Sequence, residues 1–548
     1  MARATRLAFA LWAWPALFEG LVPSGALGAG LSYSLNEQGL ASLTYHEEKF
    51  FVLPRNGELR PGKSAFAGES DVAAPSRSAA HLDKAAWKVT LAYPWGTVAS
   101  VYAQTNDRLT MQVQVSNNSD KPLANLPVVV AELNFPAVPK GASLEAGMFG
   151  ERFKGPLFPL GEFPLIADPH FVVPILQVDY GTGTLNFSSD DVGAAVSVSP
   201  ATNPPARTMY AFTVSFTNIP PRASRTCAVS LRFGPPNASA RDLSGDVLER
   251  YAKTYPFELK WEDRRPIGMV YLASSGVNVP TNPRRWKMNA GKIDVTTEEG
   301  RADFREALLG LADRSIKVLK ETNAQGMITW DPEGQEFLDA VYYGDPRLTP
   351  VLAPEMEFKG EGGRAAVDEY FDRFRQAGLK VGVCLRPQGL RMVKGKPVQG
   401  VGDNRHAADL LKDQIAYAKK RWGCTLFYVD STVTAQHGSL DPEVFRTVAA
   451  AFPDVLLMPE NEAMRYFAYT APLNSYMHHR ITSTPVGARA VYPRSFSVLM
   501  TLDGDHPGDR DALREAVRNG DVLLFNCWYE HPGAEKVKEI YSEVAQNN

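Results

Sequence analysis

Apolar and polar residues alternate in short runs over the first half of the chain, as in Ser100-Val101-Tyr102-Ala103-Gln104, Leu109 to Val115 and Tyr210 to Phe216. A period of two, broken often by Pro, Gly and Asn, predicts half-buried strands and so an all-β sandwich over residues 31–258. Past Pro266 the pattern changes. Apolar runs at 267–272, 327–330, 379–385, 426–430, 455–460, 498–503 and 522–527 alternate with helical patterns at 304–322, 365–377, 407–421, 442–452, 511–518 and 534–544. Strands separated by helices imply parallel pairing through crossovers. With a sixth strand placed within Met477 to Val491 the count approaches eight, so residues 264–548 are expected to form a (β/α)8 TIM-like barrel. The fold class is therefore multidomain, an all-β part followed by an α/β part.

Two of the barrel strands end in carboxylates. Leu426-Phe427-Tyr428-Val429 runs into Asp430, and Val455-Leu456-Leu457-Met458-Pro459 runs into Glu460, with one helical pattern between them. Parallel neighbours so connected put both acids at the C-terminal end of the sheet, where barrels of this kind keep their chemistry. Strand alternation sends Phe427 and Val429 outward and Tyr428 and Asp430 toward the axis. In the third strand Val381, Val383 and Leu385 take the outer face and Gly382, Cys384 and Arg386 the inner one. An Arg386 near the barrel top needs an anionic partner, and Asp430 is the natural one.

Composition narrows the partners. In 548 residues, 58 Lys and Arg stand against 61 Asp and Glu without long runs of one sign, which gives no footprint for nucleic acid. Arg3 and Arg6 before the apolar stretch Leu7 to Leu17, with small residues Ala26, Gly28 and Ala29 following, form a secretory signal pattern over residues 1–29. The expected location is secreted or periplasmic, with no membrane span after cleavage; a retained signal anchor is the alternative. The four cysteines are too few for a disulfide framework. Cys384, Cys424 and Cys527 fall in or beside buried strands and Cys227 lies far off, so all four are read as core thiols. Glycosylation sequons stand at Asn117, Asn186 and Asn237.

The segment Gly423-Cys424-Thr425-Leu426-Phe427-Tyr428-Val429-Asp430-Ser431, with Met458-Pro459-Glu460 one unit later, resembles retaining (β/α)8 glycoside hydrolases of the α-amylase, endo-α-N-acetylgalactosaminidase and α-galactosidase superfamily. The resemblance covers the C-terminal half. It implies Asp430 as nucleophile, Glu460 as general acid/base and a third acid supporting the transition state, for which Asp503 after strand seven is the candidate. The α-galactosidase clan takes its acid from strand six instead, and strand six here offers no clear acid. Glu462 competes with Glu460, being two residues away, and also counts as a substrate-binding candidate. Asp505 with His506 offers either a metal-ligand pair or the cap of the next helix, and no metal or other cofactor is assigned.

Around these acids a sugar-binding wall is expected. Trp330, Asp331, Glu336 and Tyr343 stand in the rich loop after strand two, with Arg386 and Tyr428 on the inner face, Tyr466 and Tyr469 after strand five, and Trp528 after strand eight. Each aromatic is equally at home in a core. There is no Gly-x-Ser-x-Gly elbow, His-Glu-x-x-His motif, Walker loop or Cys-x-x-Cys pair. Adjacent His478 and His479 would point to opposite faces of a strand and could not easily share an ion. The sequence thus points to a glycosidase acting on an oligosaccharide, polysaccharide or glycoconjugate, α-linked by analogy and retaining. The alternatives are an inverting or β-acting glycosidase and a catalytically inactive carbohydrate-binding protein. The sandwich would bind carbohydrate, shape the active site or serve as packing.

Overall fold

The computed structural model describes residues 30–54, 79–135, 143–146, 154–156, 165–201, 209–274, 279–288, 292–337, 341, 343, 352–394, 396–400, 403–433, 439–475, 483–501, 509–528 and 532–546. The proposed signal segment 1–29, Asp503, Asp505, His506 and the His478-His479 pair lie outside these residues. The described residues divide into two compact units, one holding those within 30–144, 155–166 and 174–245, the other those within 145–154, 167–173 and 246–546.

The first unit is built from antiparallel strands, and its two sheets are joined by facing aromatic side chains. Phe187 of Thr184–Ser189 meets Phe212 of Met209–Ile219 edge to face, with ring centroids 5.4 Å apart. The alternating segments of the sequence lie inside Gly96–Thr105, Arg108–Asn117 and Met209–Ile219. In Arg108–Asn117, Leu109, Met111, Val113 and Val115 are buried while Gln112 and Gln114 are exposed, so period two and burial coincide. Two of the three sequon asparagines are spent inside. Asn117 and Asn186 are buried, and the Asn117 amide donates to the carbonyls of Lys121 and Pro220; Asn237 is exposed. Residues 240–254, which the β-pattern reading had taken as sandwich, form the helix Ala240–Thr254. Its start signal was legible: Ser239 Oγ accepts from Asp242 N–H at 3.1 Å while the Asp242 carboxylate accepts from Ser239 N–H at 3.3 Å, a reciprocal cap.

The second unit carries an eight-stranded parallel sheet in the order five, four, three, two, one, eight, seven, six. In chain order the strands are Ile267–Tyr271, Gly326–Trp330, Lys380–Leu385, Leu426–Val429, Leu456–Pro459, Leu473–Ser475, Val498–Met500 and Val522–Asn526. Seven of them lie within three residues of the bounds expected from the sequence. The sixth is a correction: it is Leu473–Ser475, ahead of the expected window, and Val486–Val491 inside that window is a helix. Three residues are too short to show a period. Strands five and six are not paired along their length, but Ala471 N–H donates to Leu457 O at 3.0 Å and draws the two edges of the sheet together.

The sheet's inner face is the core of this unit. Ile267, Met269, Ile328, Trp330, Cys384, Leu426, Tyr428, Leu456, Met458, Leu473, Val498 and Leu524 form one buried cluster, every second residue of each strand. Phe427, Val429, Val381, Val383 and Leu385 are buried on the other face, as the alternation predicts. Cys227, Cys384, Cys424 and Cys527 are all free and buried, and burial pushes the Cys227 thiol up to about 12. Among the described residues no helix is long and apolar enough to cross a membrane.

Candidate active site

Register builds the site. Tyr428 pairs with both Cys384 and Met458, so the next inward residues, Arg386, Asp430 and Glu460, stand side by side one layer above the core. The ladder continues past the strand ends: Asp430 N–H donates to Leu385 O at 2.8 Å and Glu460 N–H to Val429 O at 2.9 Å. Arg386 Nη2 donates to Asp430 Oδ2 at 2.5 Å, the expected ion pair. Ser431 N–H donates to Glu460 Oε2 at 2.8 Å, tying the acid of strand five to the turn after strand four. A second tie holds the same two turns, since the buried Thr432 hydroxyl accepts from both the backbone and the side chain of Asn461 at 3.1 Å. These contacts fix where both carboxylates point.

Electrostatics acts on two carboxyl groups of the site. Desolvation, reinforced by the nearby Asp430 charge, raises the Glu460 carboxyl above its ordinary value. A carboxyl with a raised pKa beside a second carboxyl is an arrangement in which the two groups can take different roles. Asp331, at the end of strand two, is pushed up to about 6 by desolvation, and the Asp430 charge adds to this against the opposing pull of Gln335, Arg386 and Lys287. Its carboxylate accepts from Gln335 Nε2 at 2.9 Å. Asp331 and Ser431, at the ends of strands two and four, both adopt left-handed backbone with φ of 57° and 56°. Such strain persists where surrounding contacts over-determine it, and here it sits at the two turns that aim the acids.

Asp331 gives a stability test. Its pKa is higher folded than unfolded, so the folded state binds the proton more tightly and stability is lost as pH rises from about 3.8 through about 6. Asp331→Asn removes that penalty. Its thermal stability should exceed wild type by up to about 3 kcal/mol above pH 7, with the gap closing toward pH 4. A gap independent of pH, measured by thermal melts from pH 4 to pH 8, would sink this account.

The floor is aromatic. Tyr271 stacks on Trp330 with centroids 4.8 Å apart, Trp330 meets Tyr428 at 5.1 Å, and Trp528 meets Tyr271 at 5.8 Å. Trp330 and Tyr428 are each only 6% exposed, so they form the base of the cleft, while Tyr271 and Trp528 are half-buried. Sequence reasoning missed Tyr271, although the alternation Ile267, Met269, Tyr271 pointed to it. It also missed Ser431, and Lys287, for which no signal existed.

Several expected wall residues lie elsewhere. Tyr343 is 1% exposed, donates its hydroxyl to Cys384 O at 2.7 Å and packs on Trp422, so its face is closed to a sugar. Glu336 belongs to an ion cluster: Arg284 pairs with Glu336 at 3.2 Å and with the fully buried Glu355 at 3.2 Å, and Glu355 also accepts from Trp286 Nε1 at 2.7 Å. Glu462 is buried whereas Glu460 is exposed, which separates the two competing acids. Tyr466 and Tyr469 are buried, Tyr466 donating to Leu440 O. Among the described residues no group of three or more His, Cys, Asp or Glu could hold a metal ion.

No protein-family profile and no curated protein matches this sequence. Solved structures do. The α-N-acetylgalactosaminidase NagBb from Bifidobacterium bifidum, determined with Gal-NHAc-DNJ, is similar over 94% of this chain and 92% of its own, with a TM-score of 0.54 at 11% identity. The GH36 α-galactosidase AgaB from Geobacillus stearothermophilus is similar more loosely, with a TM-score of 0.45 at 11% identity over 94% of this chain and 75% of its own. The architecture is thus one shared with NagBb, an antiparallel β-domain followed by a (β/α)8 barrel.

Proposed function

We propose that this protein is a retaining glycosidase acting on α-linked sugars. The observation that carries the reading is the paired carboxyl groups at the mouth of the barrel, Asp430 ion-paired to Arg386, and Glu460 with a raised pKa and held by Ser431 N–H. Asp430 attacks the anomeric carbon as Glu460 protonates the departing oxygen. A glycosyl ester on Asp430 results, and Glu460 then takes a proton from the water that hydrolyses it. Two inversions leave the configuration retained.

Adjacent placement of the two acids, at the ends of paired neighbouring strands and tied together through Ser431, supports displacement by Asp430 itself, since an inverting pair must leave room for a water between them. Strand five supports the acid assignment in a further way: between Glu462 and Asp503 the sequence contains no Asp or Glu, so strand six and its loop have none to offer. The likeness to NagBb directs the choice of glycone toward α-N-acetylgalactosaminides. The competing reading as a silent sugar-binding protein has no use for a raised carboxyl beside a second acid.

Aryl α- and β-glycosides of galactose and N-acetylgalactosamine test the proposal directly. Hydrolysis of an α-glycoside is expected, with the α-anomer of the free sugar appearing first in a proton NMR time course. First appearance of the β-anomer would replace retention by inversion, and hydrolysis of β-glycosides alone would reverse the linkage.

A further inference from the structure

Lys287 is an anomaly in this cleft. The chain leaves strand one and returns antiparallel to its end: Ala273 bridges Trp286, Ser274 N–H donates to Arg285 O at 2.9 Å, and Lys287 N–H donates to Leu272 O at 2.8 Å. That return sets the half-buried Lys287 ammonium 3.8 Å from the centre of the Trp528 ring and 5.1 Å from that of Tyr271. Its pKa is lowered by desolvation, with Asp331 the charge that opposes this. Among the described residues the ammonium has aromatic faces beside it and no ion pair or hydrogen bond. A half-buried ammonium with its donors unspent is costly unless something else accepts from them.

Its place in the ring says what that is. In the strand order, strand one lies four steps from strand five and three from strand four, on the far side of the mouth from Asp430 and Glu460. A sugar whose anomeric carbon is at Asp430 and whose leaving oxygen is at Glu460 turns the rest of its ring toward strands one, two and eight. Tyr271, Asp331, Trp528 and Lys287 stand there. Among the described residues the mouth presents three carboxyl groups, Asp331, Asp430 and Glu460, and two cations, Arg386 and Lys287, a mixed set of hydrogen-bond donors and acceptors suited to a neutral polyhydroxyl ring.

We propose that Lys287 is a specificity-determining residue that donates a hydrogen bond to one ring hydroxyl of a neutral glycone, beside the hydroxyl held by Asp331. This rests on the glycosidase reading above. Trp528 and Tyr271 hold the ammonium in place by cation–π contact, so it is oriented before the sugar arrives.

The test pairs Lys287→Met with an aryl glycoside that the wild type hydrolyses and its monodeoxy analogues, one for each ring hydroxyl. On the parent glycoside kcat/KM should fall roughly 10- to 100-fold, the weight of a hydrogen bond from a charged donor. On the one analogue lacking the contacted hydroxyl, variant and wild type should agree within about threefold, because the bond is already gone. The ratio of parent to analogue kcat/KM is taken within each preparation and then compared between variant and wild type, so partial misfolding of Lys287→Met cancels in it. An equal loss on every analogue, or no loss on the parent, overturns the role of Lys287 while leaving the site intact. If the wild type hydrolyses no glycoside, the glycosidase reading itself fails before any variant is made.

Discussion

Asp430→Asn is expected to lower kcat by roughly four orders of magnitude or more on any substrate the wild type hydrolyses. The substitution keeps the side chain's shape and removes the nucleophilic charge. In the proposed mechanism no other carboxylate can form the glycosyl ester, so the loss should not depend on the leaving group. Folding should survive, since Arg386 retains 16% exposure and can recruit water when its partner turns neutral. Sugar affinity, read as inhibitor binding by calorimetry, should change far less than turnover. Turnover near the wild-type level would place the nucleophile elsewhere, with Asp331 the next carboxylate in the cleft.

Glu460→Gln should behave differently, and the difference assigns the roles. An alkyl or sugar leaving group needs the proton, so kcat/KM on such substrates should fall by roughly 10² to 10⁴. An activated aryl glycoside leaves without help. It should still glycosylate Asp430, after which the intermediate accumulates because no base activates the water. Added azide needs no base, and it should restore turnover and give a glycosyl azide of retained configuration. The pH profile is a second readout. In the wild type, activity should decline as pH rises through the raised Glu460 pKa, and this limb should vanish in the variant. A product of inverted configuration, or an unchanged alkaline limb, would remove Glu460 from the acid/base role.

Much of this site could be read along the chain because register is a local property. Once two apolar runs end in carboxylates and a helical pattern joins them, period-two alternation sends Asp430 and Glu460 to the same face and Arg386 to a place beside them. The Arg386 to Asp430 ion pair at 2.5 Å follows from that count alone. Residues on loops were harder. Trp330 ends strand two, Asp331 directly follows it and Trp528 stands two residues past strand eight, so all three reach the cleft from strands whose register was legible. Tyr343 and Glu336 share their composition and neighbourhood, but stand several residues past the strand end. There one is taken up by Cys384 O and Trp422 and the other by Arg284.

The sequence by itself determined the change from antiparallel to parallel architecture and the placing of Asp430 and Glu460 one layer above the barrel core. Each of these is set by periodicity within a few residues. Only the tertiary structure decided the rest. Glu462 differs from Glu460 in burial and not in sequence character, and the choice between them depends on which one the turn after strand four can reach, through Ser431 N–H at 2.8 Å. The raised pKa values of Asp331 and Glu460 depend on desolvation and on charges from other strands. Lys287 enters the cleft through a chain return whose partners, Leu272 and Trp528, are far from each other in sequence. Desolvation and long-range contacts are sums over many residues brought together by folding, and no local pattern encodes them.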